Sequence, residues 1–126
     1  MSRKHPVIAV TGSSGAGTTT VKRAFENIFR REKISAAVIE GDSLHSLDRM
    51  AFRAASAEAA KAGNHSFSHF GPEANHFDKI EETFKNYGET GMCKRRYYVH
   101  SDAEAVQHNK HFNLTDLKPG VFTPWE

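Results

Sequence analysis

Hydrophobic and polar positions change period twice within the first 40 residues. The run from His5 to Thr11, HPVIAVT, is nearly continuous, β-branched and entered through a proline, the pattern of a parallel strand buried on both faces. From Thr18 to Arg31 the period becomes helical: Val21, Ala24, Phe25, Ile28 and Phe29 share one face, with Lys22, Arg23, Glu26 and Arg30 between them. A second apolar run, Ser35 to Glu40, stops at Gly41-Asp42. Strand, loop, helix and strand within about 40 residues make a βαβ unit, whose crossover is expected to be right-handed. Downstream, Asp48 to Ala62 reads as an alanine-rich helix stopped at Gly63-Asn64, and Phe77 to Tyr87 as a helix closed by Gly88. Arg95 to His100 reads as a short strand and Ser101 to His108 as a helical turn or two capped by Ser101. Residues 109–126 show no clear period.

The expected fold is therefore α/β, a parallel sheet with flanking helices. Two core strands are evident, against about four to six in an ordinary open sheet, so residues 1–126 read as the truncated, N-terminal part of a single domain. A length of 126 residues sets the same ceiling. Seventeen Lys and Arg face fifteen Asp and Glu, spread along the chain, so no basic face for nucleic acid stands out. Cys93 is the single cysteine, which excludes an internal disulfide and a cysteine-based metal cluster and suits a reducing compartment. No apolar run approaches the roughly 20 residues that span a bilayer, and the first residues lack a secretory pattern. The expectation is a cytoplasmic protein with no membrane partner.

Between the first strand and helix, Gly12-Ser13-Ser14-Gly15-Ala16-Gly17-Thr18-Thr19 matches the phosphate-loop pattern G-x-x-x-x-G-K-[ST] except that Thr18 replaces lysine. Backbone N–H groups turned inward by glycines, with a helix N-terminus behind them, hold an anion without any lysine. Residues Gly12 to Thr20 are thus candidates for the ATP phosphates, and Thr19 stands where a hydroxyl ligates Mg²⁺. Thr18 offers a hydroxyl but no charge, so another cation must serve the β- and γ-phosphates.

Asp42 follows the second strand, which puts it at the carboxyl edge of the sheet, where ligands bind in such folds. Its carboxylate suits a general base or a water-mediated Mg²⁺ contact, and equally a helix cap or Asx-turn. His45 and Arg49, at i and i+4, share a face if their segment is helical, and could together hold a second anion. In Lys94 to His100 an extended backbone sets Arg96, Tyr98 and His100 on one face, with the donors a sugar phosphate needs. An edge strand with an aromatic packing face explains the same pattern. His65, His69, His76, His108 and His111 match no closed zinc spacing, and Phe67, Phe70 and Phe77 read as core or substrate-lid packing.

Taken in order, HPVIAVTGSSGAGTTTVKRAFENIFRRE, VIEGDSLH, FSHFGPEAN, YGETG and RYYVHSDAEA resemble the N-terminal part of bacterial-type phosphoribulokinases, members of the P-loop kinase group with an adenylate kinase-like fold. The lysine-free loop is itself a feature of that type. The resemblance implies transfer of the ATP γ-phosphoryl group to the 1-hydroxyl of D-ribulose 5-phosphate in the Calvin cycle, with Mg²⁺. It implies Asp42 as catalytic base, and His45, Arg49, Tyr98 and His100 as sugar-phosphate contacts. It implies Arg31 in allosteric control by NADH and AMP, and a homo-oligomer when complete. Plant-type members carry a redox-regulating cysteine in the glycine loop, which this chain lacks. Members are more than twice this length, and a second Mg²⁺ carboxylate is expected beyond Glu126. Alternatives are another small-molecule P-loop kinase, of uridine or pantothenate type, or a noncatalytic nucleotide-binding module.

Overall fold

A computed structural model describes residues 2–13 and 15–126. The chain divides into two compact units, Met1–Val38 and Ile39–Glu126. In the first, α1 (Thr18–Arg31) has the bounds expected from its periodicity. Its first turn hydrogen-bonds to Gly17, and Arg30 and Arg31 in its last turn complement the negative end of the helix dipole. Lys33 takes a left-handed conformation just past the end, and Ile34 N–H bonds back to Phe29 O at 2.8 Å.

No strand is assigned among the described residues at 5–11 or 35–40, where the sequence predicts two. Ile8 is 62% and Val10 46% exposed, so the first run is not buried on both faces as its composition predicts. An apolar run becomes a buried strand only when neighbours pair its backbone and a layer covers each face. The stripe of α1 is in the same condition: none of its residues is buried, although Phe25 and Phe29 meet at 5.8 Å between ring centroids.

The second unit holds the buried core, Leu44, Ala74, Val99 and Ala105, with Ser43, Thr83 and Thr123 also buried. Helix α2 (Arg49–Lys61) starts at Asp48, whose carboxylate accepts from Ala51 N–H at 2.8 Å, and ends before Gly63 at φ 86°, as the sequence predicts. Helix α3 (Phe77–Thr90) runs through Gly88 and stops at Gly91. Gly88 therefore does not close it. A glycine ends a helix by turning left-handed, and Gly91 does so at φ 76°, its N–H bonding to Tyr87 O. Helix α4 (Asp102–Phe112) is capped by Ser101 as expected but extends past His108 to Asn113, the next residue that adopts a left-handed turn.

Two antiparallel pairings tie this unit together. Residues 44–46 pair with 74–76 through Ser46 N–H to Ala74 O (2.9 Å) and His76 N–H to Leu44 O (3.0 Å), and α3 packs against the 3₁₀ turn Gly41–Leu44. Residues 95–99 pair with the tail 120–126: Arg95 and Glu126 exchange both backbone bonds, and Val99 N–H reaches Val121 O at 2.9 Å. The Arg95–His100 segment is thus extended and paired, and the tail that showed no period is its partner. Phe70 and Phe77 are exposed, Phe70 at 83%, so neither is core; Phe67 packs on Phe52 with ring centroids 5.3 Å apart.

Candidate functional site

In the first unit, Gly12, Gly15 and Gly17, which lead into α1, each meet a steric demand. A Cβ on Gly12 would press on Ala16 Cβ at 3.1 Å and Thr18 Cγ2 at 3.2 Å. Gly15 and Gly17 have φ of 79° and 81°, which side chains resist. Ala16 N–H bonds to Ser13 O at 3.0 Å and closes the loop, while Thr20 and Val21 N–H bond to Gly17 O at 3.0 and 3.1 Å. The N-cap is Gly17, which has no side chain to cap α1, and the first turn holds no acid. The N–H groups of Thr18 and Thr19 lie at the positive end of a helix of 14 residues, which is the physical requirement for an anion site. Thr18, Thr19 and Thr20 are all exposed. Ser14 lies outside the described residues. Arg31 is exposed at the far end of α1, about 20 Å along its axis from the loop, where its Nε lies 3.5 Å from Glu32 Oε1.

In the second unit, Asp42 sits in the 3₁₀ turn Gly41–Leu44 and its side chain is 59% exposed. It is not the N-cap of that turn, which is Glu40. Its carboxylate Oδ1 instead lies 3.6 Å from His45 Nε2. His45 is four-fifths buried, with Nδ1 2.9 Å from Asn75 Oδ1 and 3.2 Å from Ala74 O. Ser43, buried beneath, donates its hydroxyl to Glu40 O at 2.6 Å. The turn thus presents a carboxylate and an imidazole side by side from a rigid backbone.

Much of that rigidity comes from Arg96. Its Nε donates to Ser43 O at 2.7 Å, its Nη2 donates to His45 O, and its guanidinium lies over the rings of Phe122 (3.8 Å) and Trp125 (4.8 Å). Burial pushes the guanidinium below its ordinary pKa. Sequence reasoning set Arg96 on a ligand-binding face; here its donors are spent on the carbonyls of the acidic turn, so it clamps that turn to the 95–99/120–126 pairing. A local signal for this clamp does not exist, because the carbonyls it meets are 51 and 53 residues away. Arg96→Met, which keeps the stem and removes the donors, is expected to lower stability by about 2 kcal/mol, measured by urea unfolding of a chain of full family length. A change within error would mean that water replaces the clamp at no cost.

Residues 7–118 match the model of the phosphoribulokinase / uridine kinase family. The chain belongs to this family. It is 53% identical over all 126 residues to the phosphoribulokinase of Nitrobacter vulgaris and 51% identical to the chromosomal phosphoribulokinase of Cupriavidus necator, covering 41% of each. It also matches the solved phosphoribulokinase from Rhodobacter spheroides with a TM-score of 0.79 at 42% identity, over 99% of this chain and 39% of that one. The chain spans about two fifths of the length of these relatives. The fold is therefore the α/β fold of P-loop kinases, although the described residues carry its strand segments without an assigned sheet.

Among the positions to which the family resemblance points, the structure gathers some and separates others. Tyr98 and His100 meet edge-on at 4.9 Å between centroids, Tyr98 also packs on Phe122, and His100 Nε2 lies 3.3 Å from Glu40 Oε2, two residues before Asp42. Arg49 does not share a helical face with His45. His45 is extended, and α2 begins only at Arg49 behind its cap Asp48. Arg49 lies instead on Gly120: its N–H bonds to Gly120 O at 3.0 Å, and a Cβ on Gly120 would meet Arg49 Cβ at 3.1 Å. The sequence does not single out Asn75, and it suggests a ligand-binding role for Arg96 in place of the clamp it forms. The FSHFGPEAN motif contains Asn75, but its link to His45 crosses 30 residues of sequence.

Proposed function

We propose that these residues are the N-terminal part of a single P-loop kinase domain that phosphorylates the 1-hydroxyl of D-ribulose 5-phosphate from ATP, giving ribulose 1,5-bisphosphate and ADP. The observation that carries this reading is identity of about one half over the whole chain to proteins named phosphoribulokinase. The family description also admits uridine kinases, but these relatives favour the sugar phosphate.

In this reading the loop Gly12 to Thr20 binds the ATP phosphates through backbone N–H groups and the end of α1. Thr19 suits Mg²⁺, being an exposed neutral oxygen donor in the first turn of α1, and Mg²⁺ takes oxygen ligands. When bound, the ion neutralises phosphate charge. Asp42 accepts the proton of the attacking hydroxyl as its oxygen bonds to the γ-phosphorus. The bond from that phosphorus to the bridging oxygen breaks, and ADP leaves with the electron pair. His45, Tyr98 and His100 orient the sugar phosphate, with Arg49 binding its anionic end. Arg31, remote from the loop along α1, serves NADH and AMP as effectors in a homo-oligomer. Among the described residues no helix is long and apolar enough to cross a membrane. A cytoplasmic setting is part of the proposal, and the single cysteine, Cys93, suits a reducing compartment.

The test is a coupled ADP-release assay on a chain of full family length, with ribulose 5-phosphate and uridine as competing acceptors. Turnover with ribulose 5-phosphate at least about tenfold higher in kcat/KM, the discrimination one or two polar contacts provide, supports the proposal. Preference for uridine overturns it, and ATP binding without transfer to either favours a noncatalytic module.

A further inference from the structure

We propose that Asn75 is a positioning residue that fixes the tautomer of His45, so that Asp42 Oδ1 and His45 Nε2 form a paired acceptor for the reacting hydroxyl. This rests on the phosphoryl-transfer reading above. His45 Nδ1 faces two oxygens, Asn75 Oδ1 at 2.9 Å and Ala74 O at 3.2 Å. A carbonyl oxygen can only accept. Nor can the Asn75 amide be reversed: its Nδ2 donates to His69 O at 2.7 Å and to Gly71 O at 2.9 Å, and a flipped amide would set oxygen against both carbonyls. The imidazole hydrogen must therefore sit on Nδ1.

Nε2 of the neutral ring is then a bare acceptor, 3.6 Å from Asp42 Oδ1. Two acceptors at that separation repel unless a hydrogen lies between them or reaches both. An alcohol supplies one, and a carboxylate beside an imidazole lone pair recognises an O–H donor while rejecting a second anion in the same place. The charged groups around His45 are Asp42 in its own turn and the Arg96 guanidinium on its carbonyl, with the His69 ring 5.4 Å away. The support runs deeper than Asn75. The His69 ring stacks on Phe52 of α2 at 3.6 Å and 10°, so the carbonyl that holds the amide is itself anchored to a helix.

The experiment is long-range ¹H–¹⁵N correlation of the histidine rings in a ¹⁵N-histidine-labelled chain of full family length, with the His45 signal assigned by its loss in His45→Gln. The wild-type protein is expected to show His45 protonated on Nδ1. Asn75→Leu removes the better acceptor, and the Nε2–H form should become detectable while KM for the sugar phosphate rises about five- to tenfold, the scale of one hydrogen bond, with KM for ATP unchanged. A wild-type His45 protonated on Nε2 overturns the proposal, as does Asn75→Leu with both tautomer and KM unaltered. If Asn75→Leu does not fold, the wild-type spectrum decides. The spectra need no turnover. A wild-type protein with the Nδ1 proton in place but no sugar-phosphate kinase activity therefore overturns the kinase reading and the acceptor's role in it, and supports Asn75's control of the tautomer.

Discussion

Asp42→Asn in a chain of full family length is expected to lower kcat by about 10²-fold or more, the scale of general-base catalysis, with ATP affinity nearly intact. Asparagine keeps the shape of the side chain and loses the group that takes the hydroxyl proton. The structure sharpens this experiment, because the competing role has a different signature. A capping aspartate tolerates asparagine, but Asp42 is not the N-cap of its turn: its partner is His45 Nε2 at 3.6 Å, and it is 59% exposed. Stability should therefore change by no more than about 0.5 kcal/mol, as for other exposed positions. Steady-state kinetics with saturating ATP, read beside a urea unfolding curve, gives both quantities. A kcat near that of the wild type would remove Asp42 from the chemistry.

Gly17→Val is expected to lower nucleotide affinity by at least about 10²-fold, measured by calorimetry on the same full chain. The cause is conformational. A Cβ built on Gly17 meets no protein atom within 4 Å, so crowding by neighbours is not the obstacle. The φ of 81° is, since a β-branched residue there is strained by about 1–3 kcal/mol. Relieving that strain re-aims the Gly17 carbonyl, which holds Thr20 and Val21 N–H, and so unwinds the first turn of α1. Two N–H donors to a charged ligand, each contributing about 1.5–3 kcal/mol, would lose their aim together. Gly17→Ala, with the same Cβ but no branching, should show a smaller loss. Unchanged affinity in the valine variant would mean that the loop does not hold the phosphates.

What the sequence determined by itself is local. The bounds of α1, the cap Ser101, the stop at Gly63 and the glycines of the loop all depend on bonds within about five residues, so residue type and spacing are enough to place them. The ordered motifs also carried the family, whose model matches residues 7–118. Tertiary structure alone decided which functional groups meet. Arg96 sits on the carbonyls of Ser43 and His45, Asn75 holds His45, the unpatterned tail pairs with 95–99, and Arg49 turns to Gly120 in place of sharing a face with His45. It also decided that Ile8 and Val10 are exposed, where their composition predicts a buried strand. Apolar composition states only that a segment gains by being covered, and a guanidinium or an amide states only that it must donate. Which carbonyls receive the Arg96 guanidinium, and which imidazole meets the Asn75 amide oxygen, is set by chain segments 30 to 53 residues away that no local period encodes.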